Sequence, residues 1–223
     1  MQDQSTTLEW RNGQVPVSTR FDDPYYSLEN GLDETRHVFL AGNALPARFV
    51  DGFHVAELGF GTGLNLLATW DAWRLAGVAG RLQFTSFEAF PMTLDDMRIA
   101  LRAFPEVAAL AQELLSALCG PGPVYDLGDV VFTLITGDAR RTLPAWQGRA
   151  DAWFLDGFSP AKNPELWGAD LMAEVARHTT PSGTTATYTA AGHVRRGLES
   201  AGFAVERSPG FGRKRHMTRA RLA

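Results

Sequence analysis

The sequence predicts an α/β protein: an open, mostly parallel sheet in a Rossmann-like arrangement, preceded by an extension. Two observations carry this. Short runs of apolar and β-branched residues at 55–58, 82–87, 130–135, 152–155, 184–189 and 203–206 alternate with helix-spaced stretches at 64–75, 165–178 and 192–201, the order of strands joined by crossover helices. Carboxylates stand at or beside the ends of four of these runs, at Glu57, Glu88, Asp138 and Asp156, and the first run passes directly into Gly59-Phe60-Gly61-Thr62-Gly63. In such sheets ligands bind beyond the carboxyl ends of the strands.

Each element has its own signal. Leu8-Glu9-Trp10 and Val15-Pro16-Val17 flank Asn12-Gly13, a hairpin pattern. The stretch 21–40 opens polar and aromatic and turns helical towards Leu45. Residues 1–45 are assigned to an extension with a hairpin that packs on the domain, and 46–223 to the domain itself. After the strand at 55–58, apolar residues at 64, 67, 70 and 75 mark a helix packed on a sheet. Residues 91–118 hold amphipathic helix broken at Pro105. Pro181-Ser182-Gly183 reads as a break before the β-branched strand 184–189, Gly202 closes the helix 192–201, and 213–222 is a last strand.

The totals bound the class. The chain has 223 residues, 45% hydrophobic and 21% charged, the balance of a soluble globular protein. No apolar run reaches about 18 residues, so no membrane span is expected. MQDQSTTLEWRNG lacks the form of a secretory leader, and the single Cys119 allows no internal disulfide. Together these predict a cytoplasmic protein. The scattered histidines lack ligand spacing, so no metal is expected. A net charge of −4 argues against general affinity for nucleic acid. All but Lys162 and Lys214 of the basic residues are Arg, which suits phosphate or reflects GC-rich codons.

The glycine loop fails the dinucleotide fingerprint, because its third glycine would fall at Leu64. An acid-flanked G-x-G-x-G suits S-adenosylmethionine (SAM), whose ammonium and sulfonium favour an acidic rim over a pyrophosphate cradle. Glu57, Gly59, Phe60, Gly61 and Gly63 are the expected first contacts. Glu88 is placed to accept the ribose hydroxyls and Asp138 the adenine amino group. Taken alone, each acid is more often a helix cap or a solvated strand end; it is the four together, at successive strand ends, that point to a ligand.

Asp156-Gly157-Phe158-Ser159-Pro160 follows the fourth strand of the domain. Amine-methylating enzymes often carry an acid or amide, Pro/Gly and an aromatic here. An alkylammonium, with a pKa of about 10.4, has no lone pair until it loses a proton. Asp156 or a loop carbonyl can orient it and take that proton. Phe158 can stack on a planar base. Lys162 would meet a phosphate or ring oxygen, or stand solvated.

Four stretches then carry a resemblance: FDDPYYSLENGLDETRHVFLAGN (21–43), AELGFGTGLN (56–65), DAWFLDGFSPAKNPELW (151–167) and AGHVRRGLESAGFAVERSPGFGRKRHM (191–217). They resemble the methyltransferase part of the bacterial bifunctional tRNA 5-methylaminomethyl-2-thiouridine biosynthesis enzymes, over about residues 8–219. The glycine loop is generic to SAM enzymes; the D-G-F-S-P-A-K-N-P and G-F-G-R-K-R runs are specific. The resemblance implies a class I SAM-dependent methyltransferase fold, with seven strands and the last antiparallel. It implies N-methylation of 5-aminomethyl(-2-thio)uridine at the tRNA wobble position, with SAM as donor. Glu57, Gly59, Gly61, Gly63, Glu88 and Asp138 would hold SAM, with Asp156 at the methyl-transfer point. Phe21, Asp22, Asp23, Tyr25 and Tyr26 would close the pocket over substrate, or simply cover the sheet edge. The family's FAD-dependent oxidase part has no counterpart before Ala223, so methylation alone is expected, without FAD, coupled to the enzymes that install the aminomethyl group. Arg213, Lys214 and Arg215, with Arg195, Arg196, Arg219 and Arg221, would grip the phosphates of the anticodon stem-loop, or protect an exposed edge strand. The alternatives are a methyltransferase for a free small-molecule amine, an aminopropyl transferase and a SAM-binding scaffold without chemistry.

Overall fold

The structure is a computed structural model, which describes residues 7–13, 15–27 and 30–223. Near the N-terminus β1 (Leu8–Arg11), β2 (Val15–Ser18) and β3 (Asp23–Pro24) form a small antiparallel sheet. Asn12 and Gly13 take left-handed conformations, φ 53° and 67°, at its first turn, as an Asn-Gly hairpin requires. A short helix α1 (Gly31–Thr35), capped by the Asn30 side chain, runs on through wider and tighter turns to Asn43.

The rest alternates strand and helix. β4 (His54–Leu58), α2 (Leu64–Ala76) and β5 (Leu82–Glu88) lead to α3 (Leu94–Leu101) and α4 (Ala108–Leu118). Next come β6 (Val124–Asp126), β7 (Val130–Thr136), α5 (Ala139–Ala145), β8 (Ala150–Leu155) and α6 (Ala169–Arg177). β9 (Thr179–Thr187), α7 (Gly192–Ser200), β10 (Phe203–Pro209) and β11 (His216–Leu222) complete the chain. The sheet order is β10-β11-β9-β8-β4-β5-β7-β6. β7, β5, β4, β8 and β9 are parallel, and β11 runs antiparallel between β9 and β10. This is the mostly parallel α/β architecture that the resemblance implies.

Four details differ from the sequence reading. The sheet has eight strands where seven were expected; the addition is the edge strand β6, antiparallel to β7, too short for its residues to show alternation. α5 has no apolar stripe to announce it, because Arg140, Arg141 and Pro144 interrupt the pattern. β9 begins at Thr179 and runs through Pro181 and Ser182, where the pairing register with β8 shifts and Ser182 has φ 62°; the expected break is an irregularity within the strand. The helix expected over 165–178 starts with a tight turn at Pro164–Trp167, and α6 begins only after Gly168.

Central strands buried on both faces carry near-continuous apolar runs. Along β8, Ala152 and Phe154 face a core with α2 and α4, whereas Trp153 and Leu155 face one with α6 and α7. Phe154 is fully buried, stacked on Phe39 at 5.3 Å and edge-on to Phe84 at 6.1 Å. Phe154→Ala removes a ring the neighbours cannot replace, so it is expected to lower stability by about 3–5 kcal/mol, read as a fall in the urea midpoint with an unchanged slope.

Candidate active site

A cavity of about 1110 Å³ lies over the carboxyl ends of the central strands. Register explains its position. Leu58 pairs with Phe87 on one side and Leu155 on the other, so the next residues, Gly59, Glu88 and Asp156, emerge side by side at the point where the strand order reverses. All three line the cavity.

The glycine loop is tight because other chain segments lie against it. Gly59 has φ 84°, and a Cβ there would stand 3.2 Å from the Gly157 Cα. A Cβ on Gly61, at φ 53°, would meet the Tyr25 ring at 3.1 Å. Phe60 lines the cavity while its ring stacks on Phe132 at 5.0 Å.

The four acids take different roles. Glu57 is fully buried; it stands beneath the loop and does not line the cavity. Its carboxylate accepts from Ser86 Oγ and Asn65 Nδ2, each at 2.7 Å. Burial pushes its pKa well up, against those two hydrogen bonds. Gly63 is likewise absent from the wall and serves as the N-cap of α2. Glu88 accepts the N–H groups of Gly61 at 3.0 Å and Phe90 at 2.8 Å, which clamps the loop to the end of β5; burial raises its pKa. Asp138 borders the cavity but caps α5, accepting from the Arg140 N–H at 3.0 Å and pairing with its guanidinium at 2.6 Å. That hydrogen-bonded Arg140 holds its pKa down.

The Asp156 loop is held at successive residues. Asp156 accepts from Asn65 Nδ2 at 2.7 Å and from the Gly157 N–H at 2.8 Å. Tyr188 donates its hydroxyl to the Gly157 carbonyl at 2.8 Å, Trp167 donates Nε1 to the Phe158 carbonyl at 2.9 Å, and the Ser159 N–H donates to Asp23 at 2.8 Å. Burial, with the negative charge of Glu34, pushes the Asp156 pKa up to about 6; the hydrogen bonds and Lys214 oppose it. The wall is mixed in charge, with Glu34, Glu88 and Asp156 among its acids and Arg140, Arg213 and Lys214 among its cations; it has no side-chain bulk at Gly59 and Gly61, and a carboxylate at Glu88 for a diol. This donor set fits SAM.

The segment ahead of the domain comes to the same place. Phe21 stacks on Phe158 at 4.6 Å and Tyr25 meets that ring edge-on at 5.0 Å, so one face of Phe158 already has an aromatic partner. Tyr26 packs edge-on to Phe104 and donates its hydroxyl to the Ala100 carbonyl at 3.1 Å. Phe21, Asp23, Tyr25 and Tyr26 line the cavity, but Asp22 does not. Asp22 is exposed and pairs with Lys162 at 2.9 Å; Lys162, itself exposed, borders the cavity.

The basic tail divides. Arg213 and Lys214 line the cavity. Lys214 Nζ lies 2.7 Å from a Glu34 oxygen and 4.1 Å above the Tyr188 ring. Arg195, Arg207 and Arg215 surround His216; loss of solvent and their positive field hold its pKa down. Arg195 and Arg215 lie outside the cavity wall, and Arg219 is paired with Glu206 at 2.8 Å.

Sequence reasoning missed Asn65, Glu34 and Tyr188. Asn65 follows the glycine loop by two residues, a signal that was available. Tyr188 sits just past β9, inside the run 184–189 that the sequence predicts as strand. Glu34 reaches the cavity through tertiary packing alone. Among the described residues no group of His, Cys, Asp or Glu could hold a metal ion, and no helix is long and apolar enough to cross a membrane.

Comparison with known proteins agrees with this geometry. A family model described as S-adenosyl-L-methionine-dependent methyltransferase matches residues 105–223. The chain is 47% identical over 225 residues to the tRNA 5-methylaminomethyl-2-thiouridine biosynthesis bifunctional protein MnmC of Pseudomonas aeruginosa PAO1, covering 96% of this chain and 34% of that protein. The chain thus spans about a third of the length of the curated relatives it matches. The crystal structure of MNMC2 from Aquifex aeolicus superposes with a TM-score of 0.79 at 26% identity, over 99% of this chain and 72% of that one. The glycopeptide N-methyltransferase MtfA shares the fold, with a TM-score of 0.53 at 18% identity and 87% of each chain covered.

Gly59→Ala combines left-handed strain, about 1–2 kcal/mol, with pressure on the Gly157 backbone. It is expected to weaken SAM binding about tenfold by calorimetry while the unfolding midpoint falls only modestly.

Proposed function

The chain belongs to the S-adenosyl-L-methionine-dependent methyltransferases, and from that premise we propose that it N-methylates 5-aminomethyl(-2-thio)uridine at the tRNA wobble position to the 5-methylaminomethyl nucleoside. The observation that carries this reading is Asp156. Its carboxylate lies in the cavity wall beside the glycine loop, next to an aromatic cluster, in a chain close to half identical to part of MnmC.

When bound, SAM would supply a methyl group on a sulfonium, open to direct displacement by a neutral amine, with the C–S electron pair leaving on the thioether of S-adenosylhomocysteine. Gly59, Gly61 and Glu88 would hold it, with Asp138 at the adenine end. Asp156 performs the step the amine needs first: it orients the ammonium and accepts its proton. Asn65 and the Gly157 N–H each occupy one Asp156 oxygen and leave further lone pairs on both. Phe158, braced by Phe21 and Tyr25, borders the space for a pyrimidine, and closure by that segment excludes water. Most of the acceleration comes from holding the reactants in line. Arg213 at the cavity, with Arg195, Arg207 and Arg215 beyond it, forms a basic face for the anticodon stem-loop phosphates, and the wobble base enters the cavity extruded. The same reading has a cytoplasmic setting, needs neither FAD nor metal for the methylation and receives aminomethyl uridine from the enzymes that install it. It treats residues 46–223 as the catalytic domain and 1–45 as an extension, of which 1–6, 14, 28 and 29 lie outside the described residues.

Transfer RNA carrying 5-aminomethyluridine, incubated with the protein and labelled SAM, is expected to gain one methyl on the side-chain nitrogen by nucleoside mass spectrometry. Asp156→Asn lowers kcat about 100-fold with SAM affinity nearly unchanged. Activity falls as pH drops through about 6, because the protonated carboxyl no longer accepts. Label appearing only in free amines, or full activity in Asp156→Asn, contradicts the reading. Arg215→Glu is expected to raise the KM for tRNA severalfold, since a phosphate contact becomes a repulsion, and to leave the KM for SAM unchanged.

A further inference from the structure

We infer that Asn65 is a positioning residue that fixes the Asp156 carboxylate by tying it to the buried carboxylate of Glu57. The inference rests on the reading of Asp156 as proton acceptor. The side-chain amide of Asn65 carries two N–H groups, and both are committed: one to Glu57 Oε1 and one to Asp156 Oδ2, each at 2.7 Å. Its carbonyl oxygen accepts from the buried Thr35 hydroxyl at 2.8 Å. This sets the orientation of the amide, since a flipped Asn65 would turn its carbonyl towards two carboxylates. Ser86 Oγ holds the other Glu57 oxygen at 2.7 Å, so the anchor is itself fixed.

The consequence is mechanical. Asp156 Oδ1 is held by the Gly157 N–H and Oδ2 by Asn65, which leaves the carboxylate plane little freedom to rotate. Asn65 borders the cavity, yet both its donors point at protein groups, which separates it from a residue that binds ligand directly. The charged or titratable groups around Asp156 are Glu57 on β4, Glu34 on α1, Lys214 in the loop after β10 and Tyr188 beyond β9, with Asp23 acting on Tyr188 in turn. Without the bridging amide, Asp156 and Glu57 would face each other with no donor between them, and ionisation of Asp156 would become harder.

The test measures methyl transfer to tRNA carrying 5-aminomethyluridine, as a function of pH, for the wild type, Asn65→Ala, Thr35→Val, Asp156→Asn and the Asn65→Ala/Asp156→Asn double variant. Asn65→Ala is expected to lower kcat about tenfold or more, with the KM for SAM little changed, and to move the acid limb to higher pH. Thr35→Val keeps the side-chain volume and leaves the Asn65 carbonyl without its donor, which loosens the amide between the two carboxylates, so it moves the limb the same way by less, and it carries the test if Asn65→Ala does not fold. The double variant should be no slower than Asp156→Asn alone, because two groups acting as one unit do not add. If Asp156→Asn is inactive while both Asn65→Ala, where it folds, and Thr35→Val keep the wild-type kcat and acid limb, the inference fails and the role of Asp156 stands. A double variant slowed by the product of the single effects overturns it too. Full activity in Asp156→Asn overturns the proton-acceptor reading, and this inference with it.

Discussion

Parallel pairing of β4 with β5 on one side and β8 on the other is the constraint from which the site follows. Those two ladders bring Leu58, Phe87 and Leu155 level across three strands. The chain must then turn away from all three at the same height, and it does so through Gly59, Glu88 and Asp156. The strands have apolar side chains on both faces, so slipping one register would drive Trp153 and Phe154 into each other's cores. The core therefore holds the acids in place at a distance.

Gathering carboxylates at one end of a dry sheet carries an electrostatic cost. Glu57 is fully buried, and the pKa values of Glu57, Glu88 and Asp156 are all raised, with burial as the leading cause. Neutral donors offset this cost: Ser86 and Asn65 for Glu57, the Gly61 and Phe90 N–H groups for Glu88, the Gly157 N–H and Asn65 for Asp156. Neutral donors favour the ionised form without cancelling its charge. A cationic ligand entering the cavity thus meets groups still able to attract it. Asp138 differs, because Arg140 pairs with it directly.

Segments distant in sequence converge on the Asp156 loop. The stretch from Phe21 to Tyr26 stacks on Phe158 and receives the Ser159 N–H through Asp23. From the other end of the chain, Lys214 spans Glu34 and the face of Tyr188. Two parts of the protein that look like a cover and a tail are therefore both walls of one cavity, and a disturbance of either reaches the loop.

Local chemistry made much of this legible in the sequence. Strand and helix periods, the Asn-Gly turn, the glycines after β4 and the acids at successive strand ends each depend on a few neighbouring residues, so the α/β class and the crevice at the strand ends could be read directly. What needed the tertiary structure were properties set by residues far apart. Glu57 and Asp138 look alike at two strand ends, yet the sheet buries the first under the loop and α5 claims the second as its cap. Lys162 reads as a free cation until Asp22, 140 residues away, is folded beside it. Asn65 is one polar residue in a buried helix until Thr35, Glu57 and Asp156 surround its amide. A side chain's type is written in the chain, but the charge state and freedom that decide its use come from neighbours that only folding supplies.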